Sequence, residues 1–213
     1  MKFPYGAIVA LDVSLTDTGF VIFEFNGYDY EYRVVHQESI RSNSKDMHDH
    51  TRAKYIIGTV MDAVDKAIKV SKVLVVIEGY AFSRSQGKAF TRAEVVGMLK
   101  YVFNVERGFD VCVIGPTTLK SFMGDGRAKK EDMARLAKEC YGFEHENHNV
   151  VDAYCLAQYA FAHFVDLSTS GKAHSRLKFQ EYWPAEVVRK KLQAPAKKPL
   201  QTALTKISPS RNV

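Results

Sequence analysis

The sequence predicts an α/β fold, a mixed five-stranded sheet flanked by helices and followed by a basic C-terminal extension. Three observations predict it. Short apolar runs of strand length, bounded by turn residues, come three in a row at the start of the chain. Further runs of the same kind then alternate with longer segments whose apolar residues recur at helical spacing. Finally, the positive charge is concentrated beyond residue 165, where Pro, Ser and Ala are frequent.

AIVALDV (7–13) reads as a buried strand, and GFVIFEF from Gly19 and EYRVVHQESI from Glu31 supply two more, so the three form a meander. From 49 to 70 the residues Ala53, Ile56, Ile57, Val60, Val64, Ala67 and Ile68 mark a helix. VLVVIEGY (73–80) returns to strand, and a helical crossover of this kind implies a parallel neighbour. A second helix is expected over 87–105, with an apolar face through Val95, Val96, Met98, Leu99, Val102 and Phe103 broad enough to serve both a core and a partner subunit. DVCVIG (110–115) is the fifth strand. A helical turn after Pro116, a loop GDGRAKK, a helix over 131–140 ended by Gly142 and a last helix over 149–164 complete the domain.

With 213 residues and 46% hydrophobic composition, the chain can bury a core of ordinary domain size. The reading is a domain at 1–165 and a tail at 166–213. No apolar window reaches membrane-span length, so a soluble cytoplasmic protein is expected. Cys112, Cys140 and Cys155 form no CxxC pair, which argues against a thiolate zinc site or a disulfide framework and for buried thiols in a reducing compartment. The other histidines, His36, His48, His50, His145, His163 and His174, show no zinc spacing. Residues 1–165 carry a net charge of −1 and residues 166–213 a net charge of +7, which together make the +6 of the chain. Such a tail suits an anionic polymer, through phosphate neutralisation, or is a solvated terminus.

Three carboxylates stand where chemistry is easily built. Asp12 interrupts an otherwise apolar strand, and Glu78 does the same at the end of VLVVIE. Ionised groups are rarely buried without a partner or a metal. If the first and fourth strands lie parallel and adjacent, both acids emerge at one edge of the sheet. Asp152 starts the last helix with Asn149 one turn before it on the same face, and the pair also fits a helix-capping arrangement. Converging oxygen ligands are what Mg²⁺ and Mn²⁺ require, and two such ions can drive phosphodiester hydrolysis.

These residues lie in segments that resemble the RuvC-type Holliday junction resolvases. DVSLTDTGFVIF (12–23) resembles their first motif, an acid seven residues before a TG glycine, and VLVVIEGYAF (73–82) resembles the second, a strand ending on a glutamate. PTTLKSFMGDGRAKKEDM (116–133) is similar to the proline, lysine and glycine-rich loop of the family, and HNVVDAYCLA (148–157) to its final helix start. The likeness spans residues 7–163 in order, and the element order is that of the RNase H-like fold.

The resemblance implies a homodimeric, Mg²⁺- or Mn²⁺-dependent nuclease, with two ions per site, that nicks four-way junctions and related branched DNA. Carried over, it makes Asp12, Glu78 and Asp152 metal-binding catalytic acids. Lys120 and Lys130 become basic residues near the scissile phosphate, with Lys130 catalytic and Arg127 a further DNA contact. Asn149 stands where the family usually has another acid, and His148 is its rival as fourth ligand. Tyr80 and Phe82 are candidates for an aromatic wedge at the junction centre, with Arg84 and Lys88 as phosphate contacts. Three other readings stand beside this one: a less selective branch or flap nuclease or RNase H, a junction-binding protein with a decayed site, and an actin-like ATPase or sugar-kinase phosphate loop at DVSLTDTG. The ATPase reading lacks room for its second domain. The sequence names no helicase partner.

Overall fold

The computed structural model describes residues 3–26, 30–43, 45, 47–70, 72–79, 86–124, 126–170 and 178–193, with the backbone alone for 86–91 and 167–170. Strands β1 (Ala7–Asp12), β2 (Asp17–Phe25) and β3 (Tyr32–Arg41) form the antiparallel meander. Helix α1 (Asp49–Ala67) crosses back to β4 (Val73–Glu78), which lies parallel to β1 with Leu11 opposite Ile77. Helix α2 (Gln86–Lys100), prolonged by a π-helical segment Tyr101–Glu106, leads to β5 (Asp110–Ile114), parallel to β4. Helices α3 (Pro116–Met123), α4 (Lys130–Tyr141) and α5 (His148–Ser170) follow, then β6 (Glu181–Trp183) and α6 (Ala185–Gln193).

Across the sheet the order is β3-β2-β1-β4-β5-β6, six strands rather than the five expected. The sixth comes from the stretch read as tail. Its three residues are too few to show a strand pattern; pairing with the edge of β5, where Val111 faces Trp183 and Val113 faces Glu181, makes them a strand. The expected boundary at 165 also falls inside α5, which continues to Ser170. Asp110 fastens the added elements. Its Oδ2 accepts the Tyr5 hydroxyl at 2.8 Å and the Tyr182 hydroxyl at 3.3 Å, and its Oδ1 accepts the Ala185 N–H at the start of α6 at 2.9 Å. Residues 194–213 lie outside the described residues.

The central strands bury both faces because helices cover both, as a parallel-centred sheet requires. Alternate residues divide between two cores. Ile8, Ala10, Leu74, Val76, Cys112 and Ile114 pack against α3, α4 and α5. Val9, Leu11, Val75, Ile77 and Val111 pack against α1 and α2 through Ile56, Val60, Val96, Leu99 and Phe103. Cys112 and Cys155 are buried as expected, but Cys140 is exposed near the end of α4, on the polar side of a helix that turns Met133 and Ala137 inward. Among the described residues no helix is long and apolar enough to cross a membrane.

Candidate functional site

The close approach of α5 to the sheet edge begins at a glycine. In the β1–β2 hairpin Gly19 pairs directly with Asp12, which is what seven residues of separation and the intervening turn produce. A Cβ on Gly19 would lie 2.2 Å from the carbonyl carbon and oxygen of Asn149 and 2.4 Å from the Val150 nitrogen. Only a residue without a side chain lets the first turn of α5 sit against β2. That contact sets Asp152 beside the end of β1. The turn itself is held by Thr18, whose hydroxyl accepts the Ser14 N–H at 3.1 Å and donates to the Ser14 carbonyl at 2.5 Å.

Helix α5 is capped by Asn147 rather than by Asn149. The Asn147 Oδ1 accepts the Asn149 N–H at 2.8 Å, and its Nδ2 donates to Asp17 Oδ2 at 2.9 Å. The capping arrangement of Asn149 with Asp152 is therefore not formed, because the helix starts one residue earlier than expected. Asn149 is instead pinned from both ends of its amide. Its Nδ2 donates to the Asp17 carbonyl at 2.7 Å, and its Oδ1 accepts from Lys130 Nζ at 3.2 Å.

Asp12 at the end of β1, Glu78 at the end of β4, and Asn149 and Asp152 on α5 line one cleft of about 660 Å³, together with Lys120 of α3 and Lys130 at the start of α4. His148 is exposed and is not among the cleft-lining residues, nor is Arg127. Tyr80, Phe82 and Arg84 lie outside the described residues, and Lys88 falls where only the backbone of α2 is described.

The acids are held under electrostatic stress. Burial pushes the Asp12 carboxyl well above its ordinary range and the Glu78 charge adds to this, while Arg92 opposes it. Asp152 is pushed up to about 6 by burial and by Glu78, against the pull of Lys130 and Lys120. Carboxylates so crowded and desolvated suit a hard divalent cation, which would relieve both burdens. Asp12, Glu78 and Asp152 could hold such an ion, with the Asn149 carbonyl oxygen as a neutral fourth donor.

Two cationic residues of the cleft, Arg92 and Arg52, carry no signal in the sequence. Arg92 on α2 reaches Glu78 Oε2 at 2.5 Å and Asp12 Oδ1 at 3.2 Å. Arg52 on α1 is buried beside Asp49, donating to Asp49 Oδ1 at 3.2 Å and, through Nε, to Ser42 Oγ at 3.1 Å. Among the described residues no three His, Cys, Asp or Glu side chains converge closely enough to hold an ion as they stand.

No family model and no curated protein sequence matches the chain. Among solved structures it is similar to RuvC of Thermus thermophilus, with a TM-score of 0.61 and 21% identity over 78% of this chain and 98% of that one. It is likewise similar to T. thermophilus RuvC in complex with Holliday junction substrate, with a TM-score of 0.61 and 19% identity over 79% of this chain and 98% of that one. The fold is accordingly the RNase H-like fold in the form RuvC has.

Proposed function

We propose that the chain is a divalent-metal-dependent endonuclease that hydrolyses phosphodiester bonds in branched DNA, with four-way junctions as its principal substrate. One observation carries the reading. Three mutually repelling carboxylates, Asp12 buried on β1 and Glu78 and Asp152 half-buried on β4 and α5, line a single cleft whose remaining charged rim includes Lys120 and Lys130. The likeness to a solved structure of RuvC with Holliday junction substrate supports the choice of substrate.

Asp12, Glu78 and Asp152 hold Mg²⁺ or Mn²⁺, two ions per site, with Asn149 as a neutral donor. Bound there, the metal supplies an activated water and stabilises the leaving oxygen. The chain provides positioning and charge. β1 and β4 fix two acids on a rigid sheet edge, and the burial of Asp12 keeps bulk water from screening them. Lys130 and Lys120 neutralise the phosphate, and Lys130, now donating to Asn149, shifts toward the scissile group when DNA enters. Arg127 contacts the flanking backbone.

A four-way junction offers two equivalent strands, so a two-fold symmetric dimer would place two sites for paired nicks. Val95, Val96, Leu99 and Phe103 are consumed by the core, whereas Met98 at 42%, Tyr101 at 55% and Val105 at 39% remain exposed on the same helix. We assign that face to the dimer contact. We place the protein in the cytoplasm, as a reducing compartment that holds nucleic acid.

The test uses labelled four-way junctions, forks and linear duplex with Mg²⁺, Mn²⁺ or EDTA. Symmetric, metal-dependent nicks near the branch are expected. Equal cutting of linear duplex would reduce the protein to a general nuclease, and metal-dependent binding with no scission would make it a binding protein.

A further inference from the structure

Arg92 is the cation in direct ion-pair contact with the acid cluster, and its placement is unusual in two respects. A single nitrogen, Nη2, serves both Glu78 Oε2 at 2.5 Å and Asp12 Oδ1 at 3.2 Å. The Nε of the same guanidinium is buried and has no hydrogen-bond partner among the described residues. A guanidinium fixed for structure would present its fork to a carboxylate with two parallel bonds and leave no buried donor unpaired. Here one nitrogen lies across two acids at once while the Nε donor is left unused. Its side chain remains 27% exposed, while those of Asp12 and Glu78 are at 12% and 13%, so the arginine occupies the solvent side of the pair.

We propose that Arg92 is a built-in counter-ion that occupies the metal-facing oxygens of Asp12 and Glu78 and that a divalent cation must displace. This rests on the nuclease reading above. Positive charges repel strongly at such separations in a partly buried site, and the oxygens that Arg92 engages are the ones an ion would need. The same contact explains why no three potential ligands converge among the described residues: two of the acids are arranged around a guanidinium, which is larger than a metal ion. Arg92 thereby keeps the metal-free protein stable at the cost of metal affinity. Once swung outward, the same side chain carries a positive charge to the mouth of the cleft, where a DNA phosphate would meet it. The site is thus weakest for metal when it is empty of DNA, and DNA strengthens metal binding by giving Arg92 an alternative anion.

The test is metal binding without DNA and without catalysis. Mn²⁺ is titrated by calorimetry into the full chain, into Arg92→Gln, into Arg92→Lys and into Asp12→Asn, with melting curves in EDTA and in Mn²⁺. Arg92→Gln is expected to bind Mn²⁺ about ten-fold more tightly than wild type, one pKa unit's worth of differential interaction. It should also melt lower in EDTA and gain more from Mn²⁺. Arg92→Lys, which keeps the charge without the fork, should fall between and serves as the readout if the glutamine variant does not fold. Equal or weaker Mn²⁺ binding by both arginine variants, with binding still lost in Asp12→Asn, would overturn the role of Arg92 while leaving the nuclease reading intact. Absence of Mn²⁺ binding in every protein would overturn both.

Discussion

Two aspartates at opposite ends of parallel strands in the same sheet have opposite fates. Asp110 opens β5 and is fully employed, accepting from Tyr5, Tyr182 and the Ala185 N–H. Asp12 closes β1, two strands away, and is buried with Glu78 and Asp152 as like-charged neighbours and one shared guanidinium nitrogen for relief. A carboxylate that holds structure together is given donors; a buried one that is starved of them stores electrostatic stress, and stress concentrated in a cleft points to chemistry.

Substitutions at the two ends should therefore act in opposite ways. The largest effect belongs to Asp12→Asn, which should lower metal-dependent nicking by two to three orders of magnitude or more while leaving the melting temperature in EDTA equal to or above that of wild type. A parallel loss of activity and stability would instead make Asp12 structural. Gly19→Ala should lose about 3 kcal/mol, or fail to fold, since its Cβ meets backbone rather than a yielding side chain; denaturant unfolding reports this directly.

Asp152→Asn should raise stability in EDTA at neutral pH by up to about 3 kcal/mol. The sign follows from the raised value of about 6 against an ordinary 3.8. Ionising Asp152 costs the folded state more than the unfolded one, so the penalty is absent below pH 3.8, grows as pH rises and is complete above about pH 6. The advantage of the variant should accordingly vanish in melts at pH 3.5. At the other end of the strands, Asp110→Ala should cost about 1–3 kcal/mol, because it strips partners from part-buried hydroxyls, and should leave Mn²⁺ affinity unchanged. The smallest effect is expected from Lys100→Ala, which breaks a part-exposed pair with Glu181 at 2.6 Å and should cost under about 1 kcal/mol.

The acids were legible in the sequence because each breaks a local rule: Asp12 and Glu78 are charges at the ends of apolar strands, and Gly19 stands at hairpin distance from one of them. The five main strands were legible for the same reason, since burial on both faces leaves continuous apolar runs. What escaped depends on contacts between distant segments. Arg92 and Arg52 are ordinary helix residues in the sequence, and nothing local says that their side chains turn into the cleft. The strand Glu181–Trp183 exists through pairing with β5 and through Asp110, some 70 residues earlier, so a basic stretch of chain was read as tail. The cap of α5 is not legible locally, because Asn147, His148 and Asn149 are all polar and the choice among them is made by contacts with Asp17 on β2.

Everything proposed for the cleft depends on Asp12, Glu78 and Asp152 forming a metal centre. Crystals soaked in Mn²⁺ and measured at its absorption edge test it most directly. An anomalous peak enclosed by the three carboxylates is expected, with the Arg92 guanidinium moved off Asp12 and Glu78; no peak at saturating Mn²⁺, with Arg92 still bridging the two acids, would rule the metal centre out.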